Sequence, residues 1–115
     1  MSKRIQRVNQ LIKKELSQLL LREVEFPADT LVTVTRVETS PDLRESRIFI
    51  SVMPEAKTAR IINFLNRKIY FLQQKINKRL KMKLLPKLKF LEEKKTAEAG
   101  KIEELLEEIK NKEKD

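Results

Sequence analysis

The chain contains no cysteine and no histidine. The first absence removes any disulfide framework and any thiolate metal site. The second removes the commonest general base and the commonest metal ligand. Glycine occurs once, at Gly100. Loops that cradle phosphate need several glycines, so that backbone N–H groups can approach the anion closely. The P-loop and the dinucleotide fingerprint are therefore excluded, as is the G-x-x-G loop by which an ordinary KH domain clamps a nucleic-acid backbone. No apolar run approaches the roughly 18 residues needed to span a bilayer. The start, Met1-Ser2-Lys3-Arg4, leads into a charged amphipathic pattern and not into the apolar stretch of a signal peptide. A cytoplasmic protein without metal, cofactor, membrane anchor or small-molecule substrate is expected.

The most informative absence is local. Residues 56 to 91 hold no aspartate or glutamate but eleven basic residues: Lys57, Arg60, Arg67, Lys68, Lys75, Lys78, Arg79, Lys81, Lys83, Lys87 and Lys89. Taking these eleven from the 26 lysines and arginines leaves 15 basic against 17 acidic residues, so the whole formal charge of +9 comes from this one stretch. Concentrated charge of one sign opposes folding by self-repulsion, and it ordinarily persists because a polyanion neutralises it. That points first to nucleic acid.

At 115 residues, 40% hydrophobic and 37% charged, the chain fits one small, charge-rich globular domain. Ile5, Val8, Ile12, Leu16, Leu19 and Leu20 recur at helical spacing, predicting a helix from Lys3 to about Leu21 with Ser2 as N-cap. Strands are predicted at about Leu31 to Thr39 and Ser46 to Met53, from β-branched content and alternation. Ser40-Pro41-Asp42 supplies the turn of an antiparallel hairpin. A long helix is expected from Thr58 to Met82, with Ile62, Leu65, Ile69, Leu72, Ile76 and Leu80 as its apolar stripe. On a straight wheel Arg60, Arg67 and Lys78 fall nearly opposite that stripe, flanked by Lys75 and Lys81. Phe64 and Phe71 also land on the basic side, which calls for a bend near mid-helix or a partner for those rings; the bend is preferred. After Pro86, Lys87 to Phe90 alternates like a third strand. Ile102, Leu105, Leu106 and Ile109 mark an acidic terminal helix, followed by a charged tail expected to fray. The order implies a two-layer α+β domain whose three-stranded sheet buries one face against the first and long helices.

Several readings compete for the basic stretch. Charge runs are commonly just solvated helix faces, but a helix shaped only for solubility would carry interleaved glutamates, as the terminal one does. Binding to an anionic membrane surface conflicts with the need for the apolar stripe to cover the sheet. A helix-turn-helix is opposed by the hairpin. RRM-type recognition lacks its glycine-containing aromatic motifs, and Phe49 reads as a core or hairpin side chain. Asp29, Asp42 and Glu45 sit where carboxylates cap turns rather than catalyse, so no enzyme is expected. A protein-interaction module and a generic nucleic-acid binder remain as rivals to a specific RNA binder.

The hairpin Val37-Glu38-Thr39-Ser40-Pro41-Asp42-Leu43-Arg44-Glu45-Ser46-Arg47-Ile48-Phe49-Ile50-Ser51 resembles the V-x-V-S-x-D-L-x-x-A-x-V-Y-V-S hairpin of the bacterial ribosome-binding factor A family. Arg4, Arg7-Val8, Ile12, Glu15-Leu16 and Leu19-Leu20 match that family's opening helix. Arg79-Leu80, Pro86-x-Leu88-x-Phe90 and Ile102-x-x-Leu105-Leu106 follow in order, so the resemblance runs from about Arg4 to Ile109. It implies a KH-like (type II) α-β-β-α(kink)α-β domain with a C-terminal helix, without the G-x-x-G loop. It also implies binding to the free small (30S) ribosomal subunit late in assembly, around 16S rRNA processing, most important in the cold. The family marks its kink with Ala-x-Gly, which falls here at Lys68-Ile69-Tyr70; neither residue is present, so a kink must have another cause. Ser46 stands where the family has alanine, and Glu93 where it has aspartate.

The expected organisation is a KH-like RNA-binding domain over residues 1–92 and a helix and tail over 93–115, in a monomer that partners 16S rRNA. The expected RNA contacts are Arg60, Arg67, Lys68, Lys75, Lys78, Arg79, Lys81 and Lys83, with Arg4 and Arg7 helping from a neighbouring face.

Overall fold

A computed structural model of the chain describes residues 2–82 and 85–93. Lys83, the expected terminal helix and the charged tail lie outside these residues.

Helix α1 (Lys3–Glu23) starts where the Ser2 hydroxyl accepts the Ile5 N–H at 3.2 Å, satisfying one of the orphan donors of the first turn. Its buried face is Val8, Ile12, Leu16, Leu19 and Leu20, the stripe read from the sequence. Strands β1 (Leu31–Thr39) and β2 (Glu45–Met53) form the antiparallel hairpin. In its turn the Leu43 N–H donates to the Ser40 carbonyl at 2.9 Å, and Leu43 takes a left-handed φ of 60°. Beyond a short 3-10 turn (Glu55–Lys57) come α2 (Thr58–Arg67), α3 (Ile69–Leu80) and β3 (Lys87–Glu92). Strand β3 lies parallel to β2, giving the sheet order β1-β2-β3.

Val34 and Val37 are both buried although three positions apart, a spacing that simple alternation would send to opposite faces. A β-bulge between Val34 and Arg36 resolves this. The extra residue, Thr35, donates its hydroxyl to the Phe49 carbonyl at 3.1 Å, and both valines turn inward. Ile48, Ile50 and Val52 of β2 and Leu88 and Phe90 of β3 complete the sheet's buried face. Ser46 is also fully buried, and its hydroxyl meets that of Thr39 at 2.7 Å, with Asn9 bonded to Thr39 in turn. The family's alanine position thus accepts a serine because partners remove the cost of burying its hydroxyl.

The long helix is broken at Lys68. The Lys68 N–H is shared between the Phe64 and Leu65 carbonyls, at 3.2 and 3.1 Å, and an i→i−4 bond resumes with Leu72 donating to Lys68 at 3.0 Å. Lys68 sits at φ −94°, ψ 10°, the bridge region, with a negative φ that needs no glycine. Tyr70 lies inside α3, so it does not need the freedom of the family's glycine either.

The expected stripe requires correction in α2. Ile61 and Leu65 are buried there, beside Thr58, while Ile62 is half-exposed. In α3 the buried residues are Leu72 and Ile76, with Ile69 and Leu80 at the margin. The break separates the phases of two helices that a single wheel treats as one. It explains Phe64, which packs edge-on against Phe26 at 6.3 Å between ring centroids. It does not bury Phe71, which stays 45% exposed. Burial of each large aliphatic side chain contributes on the order of 1.5–3 kcal/mol, so the helix–sheet seam is the principal source of stability.

Candidate nucleic-acid interface

Helices α2 and α3 turn their buried faces to the sheet, which leaves Arg60, Arg67, Lys68, Lys78 and Lys81 exposed. None of these five pairs with an acidic side chain among the described residues. Lys68 extends over the Phe64 ring at 5.2 Å, close enough for a cation–π contact. Beside it Tyr70 is 75% exposed, so the region around the break offers cations next to aromatic surface. Helix α3 begins there with no side-chain cap and no acidic residue in its first turn.

Two of the expected contacts are engaged within the domain. Arg79 lies 3.5 Å from Glu15, and Lys75 lies 3.8 Å from Glu23. These pairs tie α3 to α1 at two levels, with the helices running antiparallel. Lys75 also stands 5.5 Å from the Phe71 ring. Arg79 and Lys75 therefore differ from the five free cations in having partners, a distinction set by α1 residues far away in sequence.

Arg4 and Arg7 are exposed on the first turns of α1 and share a cleft of ≈ 550 Å³ with Met82, the residue after Lys81. The fold thus brings the basic start of α1 to the C-terminal end of α3, as one side of the molecule. Lys3 joins them there, and Arg44 and Lys87 lie on the far side of an adjoining cleft. Sequence reading did not single out these last three for a site. Arg44 sits in the turn and Lys3 outside the acid-free stretch, while Lys87 lies inside that stretch but on the third strand, so the tertiary fold is what brings the three together.

The opposite face of the sheet has its own charge cluster. The Arg36 guanidinium stacks 3.7 Å from the Phe49 ring centroid and donates to both carboxylate oxygens of Glu93, at 2.9 and 3.1 Å, while also bonding Glu38. The hydrogen bond to Glu93 raises the Arg36 pKa above its ordinary value. Phe49 is therefore covered and presents no stacking platform. In the turn, the Ser40 hydroxyl and the Arg44 N–H hold the Asp42 carboxyl below its ordinary value of 3.8. Among the described residues, no helix is long and apolar enough to cross a membrane.

Three strands backed on one face by helices, in the order α-β-β-α-α-β with a glycine-free break between the last two helices, define a KH-like domain lacking the G-x-x-G loop. Comparison with known proteins narrows that class. The chain belongs to the ribosome-binding factor A family, whose family model matches residues 4–106. It is 36% identical over 108 residues to the ribosome-binding factor A of Thermodesulfovibrio yellowstonii, covering 94% of this chain and 92% of that protein. It is also 36% identical over 109 residues to that of Synechocystis, covering 91% and 81%. The crystal structure of ribosome-binding factor A from Thermus thermophilus shares its fold, with a TM-score of 0.65 at 23% identity over 76% of this chain and 94% of that one. A homology model of the Thermus thermophilus protein, fitted into a cryo-EM map of a 30S–RbfA complex, matches with a TM-score of 0.63 at 26% identity, covering 72% of this chain and 88% of that one.

Proposed function

We propose that this protein binds the free small ribosomal subunit in the cytoplasm as a monomeric, non-catalytic assembly factor that supports late 30S maturation and 16S rRNA processing. The observation that carries this reading is the exposed set Arg60, Arg67, Lys68, Lys78 and Lys81 on α2 and α3, unopposed by acid among the described residues, in a member of this family. Phosphate contacts of this kind supply affinity and position, not sequence specificity. Lys75 and Arg79 contribute field from behind, and Arg4 and Arg7 extend the surface around the end of α3. Backbone N–H groups at the start of α3 add to the anion site near the break.

The test is sedimentation with purified subunits at moderate salt. The protein is expected to comigrate with free small subunits and not with large ones, and absence of comigration while a control factor binds would sink the reading. With ~5 phosphate contacts, log K against log salt should fall with a slope of about −4 to −5. Equal affinity for duplex DNA and ribosomal RNA in competition would favour a generic nucleic-acid binder instead.

A further inference from the structure

The acid-free helices do not account for a second basic feature. A cleft of ≈ 630 Å³ opens between the start of α1, the β1–β2 turn, Met82 just after α3, and Leu85 and Pro86 just before β3. Cavities that hold small organic ligands have volumes of roughly 300–1,000 Å³. The cleft's walls are apolar: Val8, Leu43, Met82, Leu85 and Pro86. Its rim carries Arg4, Arg44 and Lys87.

The rim is fixed by the fold. The Lys87 N–H donates to the Arg44 carbonyl at 2.9 Å, which ties the end of the β1–β2 turn to the first residue of β3, and both side chains line the cleft. Arg4 faces them from the first turn of α1, a turn with no acidic residue. Among the described residues the one carboxylate at the rim, Asp42, is occupied by its own turn. Its Oδ1 accepts the Ser40 hydroxyl at 2.6 Å and the Arg44 N–H at 3.1 Å, with the Arg44 guanidinium 3.7 Å from its other oxygen. Arg4 and Lys87 pair with no acid among the described residues.

An apolar slot with a cationic rim is complementary to one planar base with a phosphate on either side. A duplex cannot offer that, because its bases are stacked and paired; a single strand can splay one base out. We propose that this cleft receives one unstacked nucleotide of a single-stranded RNA segment, with the base against the half-exposed Leu43, Met82 and Leu85 and the flanking phosphates on Arg4, Arg44 and Lys87. The proposal rests on the RNA-binding reading above and adds to it a preference for single strands at a defined place.

The chain has three methionines, Met1, Met53 and Met82, so methyl-labelled methionine gives a local reporter. Met82 lines the cleft, while Met53 pairs with Leu31 at the end of the hairpin away from its turn. Full-length protein is titrated with a short single-stranded adenylate oligomer and, separately, with a blunt RNA duplex. The Met82 methyl should shift with the single strand and not with the duplex, with Met53 unmoved in both. The double variant Arg4→Gln, Lys87→Gln removes two charge-assisted contacts from exposed side chains and should weaken single-strand binding about tenfold or more. A silent Met82 methyl, equal shifts with the duplex, or unchanged affinity in the double variant would overturn the proposal. If subunits still comigrate while Met82 stays silent, only the cleft is lost; if comigration fails, the broader reading falls.

Discussion

Asn66 forms a two-way hydrogen-bonded ring with the backbone of Phe90. Its side-chain Nδ2 donates to the Phe90 carbonyl at 3.1 Å, and its Oδ1 accepts the Phe90 N–H at 3.1 Å. Two turns later Gln73 accepts the Leu88 N–H at 2.9 Å and donates to the Pro86 carbonyl at 3.1 Å. Seven helical residues rise ~10.5 Å and three strand residues advance ~10 Å, so amides at this spacing meet backbone groups at that one. Together they cover the β3 edge that β2 does not pair, where an open strand would invite another chain. Replacing either amide, as Asn66→Leu or Gln73→Leu, leaves one N–H and one carbonyl without a partner. Each variant should lose about 2 kcal/mol, read as a lower urea midpoint with an unchanged slope.

The cations of α3 divide into two groups that mutation should separate. Lys78→Gln with Lys81→Gln should weaken binding to small subunits by about tenfold or more and cost only about 0.5 kcal/mol of stability, from the loss of two cations at the negative end of α3. Lys75→Glu sets a carboxylate against Glu23, which lies 3.8 Å from the present ammonium. That variant should also lose about 1 kcal/mol of stability, because a modest attraction becomes a repulsion. A parallel series of melts and sedimentation assays checks both halves.

Lys81 ends α3 in the left-handed region, at φ 48° and ψ 34°. A side chain there is disfavoured relative to glycine, and glycine is the usual residue just past a helix end. Lys81→Gly should therefore stabilise the fold by about 1 kcal/mol while removing one of the proposed phosphate contacts. Stability rising as subunit affinity falls would show that lysine is kept here for its charge.

The pH dependence of the β1–β2 turn follows from Asp42. The Ser40 hydroxyl, then the Arg44 N–H, depress its pKa below 3.8. A depressed carboxylate contributes stability that is complete above its unfolded value and is lost as the pH falls through its lower folded value. Ser40→Ala removes the larger cause, so the Asp42 carboxyl carbon should titrate closer to 3.8 in the variant. An unaltered titration midpoint would contradict the role given to Ser40.

Helix α1 and the hairpin were readable because a single period decides each of them: Val8, Ile12, Leu16 and Leu19 at helical spacing, and Ile48, Ile50 and Val52 in alternation. Phe64 and Phe71 on the basic side of the wheel call for a bend near mid-helix, but its position at Lys68 comes from the resemblance, since nothing in Lys68-Ile69-Tyr70 interrupts a helix by propensity. The shift from Ile62 to Ile61 follows from that break and is invisible to a straight wheel. The acid-free stretch identified the exposed cations, but which of them are tied to α1 depends on Glu15 and Glu23, more than fifty residues away. Asn66 and Gln73 carry no local sign of their role, because exposed and strand-capping amides look alike until the strand is beside them.

The bulge at Thr35 proofreads the hairpin. In an unbroken ladder no register sends both Val34 and Val37 inward, so a hairpin without it would leave one valine in water. A two-residue slide that kept the bulge would set Arg36 opposite Arg47 or Ser51 in place of Phe49. It would also part Thr39 from Ser46, leaving the buried hydroxyl of Ser46 without its partner. Inward facing of the valines thus rejects a hairpin without the bulge, cation–aromatic stacking and hydroxyl pairing reject the two-residue slide, and the hairpin has one alignment that satisfies all three.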